Sequence, residues 1–174
     1  KECVNQKLKE LKELTGDKSA MDAIICFKTA DGKDGFIAIE TKYSENLGTN
    51  EASNTDKAIE TIRQLSCFNS DFEERINKKK TKLTQIYRNF LLSERYGLWI
   101  GAESYSIVLS PELHPSTDDE VLSVTNEMRP EYKGKLQSIT LESFTNKLIS
   151  ESPEEYAEIF RRFRDRYLSF DRVE

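Results

Sequence analysis

The sequence predicts an α/β domain in which helices pack against a central mixed β-sheet. Short apolar runs rich in β-forming residues occur at residues 20–28, 35–43 and 98–111, and segments with the apolar spacing of helices surround them. This alternation is typical of a sheet covered by helices. We find no internal repeat, low-complexity linker or second hydrophobic unit in the 174 residues. We therefore expect one domain over residues 1–174.

A β-hairpin is predicted from residues 21–28 and 36–43, which flank the segment TADGKDG. This segment has the composition of a turn. The second strand is almost continuously apolar until Glu40, which indicates that it is buried on both faces.

The rest of the chain predicts helices and two further strands. The clearest helix covers residues 81–95, where apolar side chains recur every three or four positions. The other predicted helices are residues 1–14, 55–68, 141–149 and a last helix from Pro153 to about Phe170. The last helix has an apolar face made of Tyr156, Ile159, Phe160, Phe163 and Tyr167. Strands are predicted within residues 98–111, best at Tyr105–Leu109, and at 135–140, whereas residues 112–134 are expected to be irregular.

Composition argues against several classes of protein and site. The net charge of −5 disfavours a protein that coats nucleic acid through bulk charge. Cys3, Cys26 and Cys67 form no CxxC motif and are odd in number, so we expect reduced thiols in a cytoplasmic protein. His114 is the only histidine, which disfavours a histidine-based triad or metal site. No apolar run is long enough to span a membrane. Because the chain begins with Lys1 rather than methionine, we expect that its N-terminus was trimmed or processed.

Three residues of the hairpin can form a hydrolytic site. Glu40 and Lys42 share one face of their strand because side chains alternate with period two. Asp22 joins that face if it lies opposite Glu40 or Lys42, at a Cβ separation of roughly 5 Å. Two carboxylates at the end of buried strands favour a divalent cation, and hard oxygen ligands suit Mg²⁺. Such a cation activates water for phosphodiester hydrolysis, and a nearby lysine stabilises the negative charge that develops on the phosphate.

The same residues also permit an ordinary interpretation. The pattern Glu-x-Lys is common on strands, where the two side chains usually form a solvated face. Three features of this chain favour the functional interpretation: the pattern ends an apolar strand, follows a hairpin, and has an aspartate at a distance that allows pairing.

Four segments of the chain together resemble the PD-(D/E)XK nuclease superfamily and, within it, bacterial restriction-endonuclease-like proteins. These segments are SAMDAIICF, GFIAIETKYSE, QIYRNFLL and the terminal FRDRYLSF. The resemblance covers most of the chain, and the hairpin segments are its specific part. It implies a restriction-endonuclease-like core and DNA cleavage that depends on Mg²⁺, with Mn²⁺ as an alternative. It also implies that Asp22 and Glu40 are metal ligands helped by the Thr41 carbonyl, with Lys42 as the catalytic lysine.

The chain departs from the superfamily pattern before the hairpin. Met21 stands where proline is usual, and Thr15–Ala20 is too short for the strand that commonly precedes the aspartate strand. Many members also place a glutamate of the first helix near the metal. Glu13 and Glu10 are candidates for this role, and a solvated helix face explains either equally well.

The same resemblance adds a glutamine to the site. Several exonuclease branches of the superfamily carry one on a helix after the Glu-x-Lys strand, with a tyrosine four residues later. Gln85 fits the first part of this pattern, but Asn89 stands where the tyrosine is expected. Gln85 lies off the apolar stripe of its helix and is therefore free to face the site.

A basic segment leads into the Gln85 helix. We expect its cations to track phosphates; they are Lys78, Lys79, Lys80, Lys82 and Arg88. The alternative is a solvated loop and helix start, as most lysine runs are.

Three functions follow from these observations. We favour a Mg²⁺-dependent DNA endonuclease of a restriction or defence kind, for which cleavage of both strands would favour a homodimer. A repair or exonuclease-type enzyme of the same fold is the second hypothesis. The third is a nuclease-like domain that binds nucleic acid or a protein without cutting.

Overall fold

The computed structural model describes residues 21–44, 55–78 and 83–169. The helix predicted for residues 1–14 lies outside these ranges. Within them, no helix is both long and apolar enough to cross a membrane.

A four-stranded mixed sheet forms the centre of the fold. Its strands are β1 (Ala23–Lys28), β2 (Asp34–Thr41), β3 (Glu103–Ser110) and β4 (Leu136–Thr140), and they lie in that order across the sheet. The first pair is antiparallel, and the pairs β2–β3 and β3–β4 are parallel. This arrangement confirms the predicted α/β fold with a mixed sheet flanked by helices, and it is compatible with a restriction-endonuclease-like core.

Six α-helices and one 3₁₀ helix of the described residues accompany the sheet. The α-helices are α1 (Thr55–Leu65), α2 (Phe72–Asn77), α3 (Gln85–Ile100), α4 (Thr117–Asn126), α5 (Leu141–Glu151) and α6 (Glu154–Tyr167). The 3₁₀ helix covers Pro130–Lys135. Parallel strands need long connections, and α1 to α3 supply the one between β2 and β3.

The hairpin turn fixes the register of β1 against β2. The backbone N–H of Lys33 donates to Thr29 Oγ1 at 2.9 Å, and Gly32 supplies a φ of +83° that favours glycine. The resulting register pairs Ala23 with Ile39. Just before the first pair of this register, the Asp22 N–H donates to the Ile39 carbonyl, so Asp22 lies beside the end of β2.

Each face of the sheet has its own apolar core. The larger core includes the apolar stripe predicted for this part of the chain. Leu83, just before α3, is buried there, as are Ile86, Tyr87, Phe90 and Leu91 of α3. The smaller core gathers Ile39, Leu109, Leu141 and Leu168 on the opposite face. As predicted from its apolar sequence, β2 is buried on both sides over most of its length.

Two segments have a secondary structure that differs from the one predicted. Residues 98–100, assigned to strand material, form the last turn of α3, which ends at Gly101 in the left-handed region with φ +69°. Residues 112–134, expected to be irregular, contain α4 and the 3₁₀ helix. The first turn of α4 carries three acidic residues that favour a helix N-terminus, and its few buried apolar residues weaken the periodic signal.

The apolar face of the last helix is not buried. The prediction grouped five side chains on this face, but α6 buries Ala157 and half-buries Phe160, while the other four stay exposed. Sequence spacing shows which residues share a helix face, but it does not show which face packs.

Candidate functional site

The carboxylate of Glu40 is the centre of a buried polar cluster at the end of β2. Glu40 is 7% exposed and Lys42 is 5% exposed. Lys42 Nζ lies 2.7 Å from Glu40 Oε1. The alternation along β2 brings the two side chains to one face, and the backbone N–H of Lys42 is anchored on the Leu109 carbonyl at 2.7 Å.

Helix α3 places two amide side chains on the same carboxylate. Gln85 Nε2 donates to Glu40 Oε1 at 2.7 Å, and Asn89 Nδ2 donates to Glu40 Oε2 at 2.9 Å. The two residues are four apart and therefore share one face of the helix. Gln85 is also the first residue of α3, so Glu40 lies near the positive end of the helix dipole.

Asp22 joins the cluster from the residue directly before β1. Its backbone N–H donates to the Ile39 carbonyl at 3.0 Å, and its Oδ2 accepts from the Thr41 N–H at 2.7 Å. This second bond ties the Asp22 carboxylate to the backbone between Glu40 and Lys42. Asp22 is exposed and Glu40 is buried, so the cluster has one carboxylate at the surface and one in the interior.

The surroundings disfavour charge on Glu40. Burial raises the pKa of the Glu40 carboxyl, hydrogen bonding and attraction by Lys42 lower it, and the Asp22 charge raises it. The two carboxylates therefore repel each other across the hairpin. A cation placed between them would relieve both the repulsion and the loss of hydration.

The donor set fits a hard divalent cation. Carboxylate oxygens of Asp22 and Glu40, with the Thr41 carbonyl between them in sequence, are the ligand types that Mg²⁺ prefers. No cluster of three His, Cys, Asp or Glu side chains suited to a metal occurs among residues 21–44, 55–78 and 83–169. Mg²⁺ is commonly held by one or two protein carboxylates and retains several waters, so two carboxylates are sufficient.

The other sequence candidates either lie outside the described residues or occupy other positions along the helices. Glu13, Glu10, Lys79, Lys80 and Lys82 lie outside the described residues. Lys78 follows α2 and forms an ion pair with Glu74, which partly neutralises it. Arg88 lies on α3, half-buried, three residues after Gln85.

Sequence reasoning missed the role of Asn89. It noted Asn89 only as a departure from an expected tyrosine, yet the side chain contacts Glu40 directly. A carboxylate only accepts hydrogen bonds, so the amide nitrogen must face Glu40. Its Oδ1 is then buried without a partner in the described part of the chain. The available signal was the four-residue spacing from Gln85.

Comparison with known proteins places the chain in a family. No curated protein and no solved structure matches it. Residues 5–168 match the family REase-ARP, described as restriction endonuclease associating with ARP. This match spans the sheet, the six helices and every residue of the Glu40 cluster. The chain belongs to the REase-ARP family of restriction-endonuclease-like proteins.

Proposed function

We propose that this protein is a Mg²⁺-dependent nuclease that hydrolyses DNA phosphodiester bonds, with Mn²⁺ as an alternative cation, and that its site is of the PD-(D/E)XK type. The observation that carries the proposal is the convergence of Asp22, Glu40 and Lys42 at the end of one buried strand. The family description, which names a restriction endonuclease, supports it.

Asp22 and Glu40 would hold the cation, with the Thr41 carbonyl as a further oxygen ligand. When bound, Mg²⁺ polarises a phosphoryl oxygen and lowers the pKa of a coordinated water. Asp22 is held by the Thr41 N–H and Glu40 by two amides, so both carboxylates are oriented before the cation binds. Pre-oriented ligands bind and act without a reorganisation cost during the reaction.

Lys42 would stabilise the negative charge that develops on the phosphate. Its ammonium group is held against Glu40, in a site where burial strengthens electrostatic interactions. Substrate phosphate would approach from the exposed Asp22 side, since Glu40 and Lys42 are buried. Arg88 lies three residues after Gln85 on α3 and would contact flanking phosphates. The lysines at 78–82, which precede α3 in the sequence, would do the same.

Cleavage of plasmid DNA tests the proposal. Wild type should nick or linearise supercoiled plasmid with Mg²⁺ and not with excess chelator. Lys42→Met should lower the rate about 10²–10³-fold, as expected for loss of one transition-state charge stabiliser. Asp34→Asn is the matched control, because it removes an exposed carboxylate from the opposite end of the same strand.

Three outcomes would change the assignment. Equal cleavage by wild type and Lys42→Met would reject the site. Cleavage of linear DNA without cleavage of circular DNA would favour the exonuclease or repair alternative. A wild type that binds DNA without cutting it under any metal would favour the non-catalytic alternative.

A further inference from the structure

The exposed face of α6 is an apolar stripe. Four large side chains on this face are 40–59% exposed: Tyr156 52%, Ile159 59%, Phe163 40% and Tyr167 46%. Their spacings of three, four and four residues place them in one line along the helix. The packing face lies elsewhere, at Ala157 and Leu168. Aligned apolar side chains of this size, left exposed, indicate an interaction surface.

The edge of the stripe carries charges arranged in a specific order. Glu155, Arg162 and Arg166 are seven and four residues apart, so they line the same edge. The acidic residue lies in the first turn of α6, and a basic residue lies in the last turn. Arg166 also packs over the Tyr167 ring at 5.2 Å, which holds it beside the stripe.

We propose that this stripe packs against the same stripe of a second copy of the chain, with the two α6 helices antiparallel. A two-fold axis relates the two helices of such a pair. The charged edges of both helices then lie side by side and run in opposite directions. Glu155 of one copy then lies beside Arg166 of the other, and this contact occurs twice. The apolar residues match in the same register, with Ile159 beside Phe163 and Tyr156 beside Tyr167.

The size of the apolar stripe sets how tightly two copies are expected to bind. A helix of 14 residues is about 21 Å long, so one helix pair is smaller than a standard stable interface. We therefore expect a reversible dimer whose population rises with protein concentration. The contact does not depend on the nuclease assignment, because none of these residues belongs to the Glu40 cluster.

Sedimentation velocity over a range of protein concentrations tests the apolar contact. Wild type should shift from monomer to dimer as concentration rises. Ile159→Ser should raise the dimer dissociation constant by roughly tenfold or more. Leu113→Ser, at a side chain 75% exposed elsewhere on the surface, should leave it unchanged. Because Ile159 is exposed, circular dichroism should show the same fold in both variants.

Charge reversal tests the antiparallel pairing. Glu155→Arg and Arg166→Glu should each weaken the dimer, since each places like charges together twice. An equimolar mixture of the two variants should recover dimerisation, because every contact in the mixed dimer then joins opposite charges. Three results would overturn the proposal: a monomer at every concentration, an unaffected Ile159→Ser dimer, or a mixture no tighter than its components.

Discussion

At the scale of single residues, Glu40 is a buried carboxylate whose charged form is disfavoured by its surroundings. Its carboxylate is buried beside a second carboxylate, and three donors from Lys42, Gln85 and Asn89 hold it in place. Buried charged groups are tolerated when they are paired and hydrogen-bonded, or when they bind metal. The arrangement is therefore both a source of instability in the absence of a cation and a prepared ligand.

The raised pKa of Glu40 predicts how stability changes with pH. Burial raises this pKa above its ordinary 4.5, so between 4.5 and the folded value the native state binds more protons than the unfolded state. The stabilisation is complete below 4.5 and is lost as pH rises through the folded pKa. Urea unfolding of metal-free wild type and Glu40→Gln measures the difference in unfolding free energy.

As pH rises from 4.5 to the folded pKa of Glu40, the unfolding free energy of wild type should decline relative to that of Glu40→Gln. The decline should be at most about 1.4 kcal/mol per pH unit. The test therefore depends on how the difference changes with pH and not on its absolute size. A difference that stays constant, or one that moves in favour of wild type, would contradict the raised pKa.

Asn89 acts at the same scale as a positioning residue. Asn89→Leu removes the donor to Glu40 Oε2 while keeping a similar volume, so the carboxylate is less firmly oriented. Residues that orient metal ligands typically contribute about 10–100-fold to metal affinity. We expect isothermal titration calorimetry to show Mg²⁺ binding to Asn89→Leu weakened by that factor.

Ser93 offers a matched control for Asn89. It lies one turn further along α3, is fully buried, and has a hydroxyl oxygen without a partner among the described residues. Ser93→Ala should leave Mg²⁺ affinity near that of wild type. Equal losses in both variants would show that α3 packing, and not the Asn89 contact, controls the site.

At the scale of elements, the distance between α3 and β3 sets the position of the Gln85 and Asn89 side chains, which α3 carries. A Cβ at Gly97 would lie 2.9 Å from the Ala102 carbonyl oxygen and 2.9 Å from Ser104 Cβ. Neither contact involves the end of a flexible side chain, so the helix must shift. Glycine here allows α3 to approach the start of β3 closely.

Gly97→Ala should therefore lower the free energy of unfolding by about 1–3 kcal/mol, the usual cost of overpacking. Gly134→Ala is its control, because an added Cβ there has no atom within 4 Å. Chemical denaturation of both variants provides the comparison. A Gly97→Ala protein as stable as wild type would show that α3 can move without cost.

Local patterns predicted the elements that position the site. The hairpin followed from two apolar runs around a turn, and the buried face of α3 followed from helical spacing. The end of α3 was missed because a short apolar run such as Leu98, Trp99 and Ile100 is compatible with either a strand or a helix. Helix α4 was missed because it buries few apolar residues. Contacts between distant segments, such as Asn89 with Glu40, depend on tertiary packing that a single sequence does not specify.

At the scale of the whole molecule, the sheet, α3 and the hairpin converge on one end of β2. Asp22 lies directly before β1, Glu40 lies on β2, and the side-chain amides of Gln85 and Asn89 lie on α3. Cation binding should therefore stabilise the entire fold, because it links elements that are far apart in sequence. A ligand at 100 times its dissociation constant adds about 2.7 kcal/mol to the free energy of unfolding.

The most direct test of the central claim is a calorimetric Mg²⁺ titration of wild type, Asp22→Asn and Asp34→Asn. If Asp22 and Glu40 share a cation, wild type and Asp34→Asn should bind with similar affinity, and binding to Asp22→Asn should fall about tenfold or more, since a direct ligand matters at least as much as its supporting residues. Equal Mg²⁺ affinity in all three proteins, or no binding by wild type, would contradict the account.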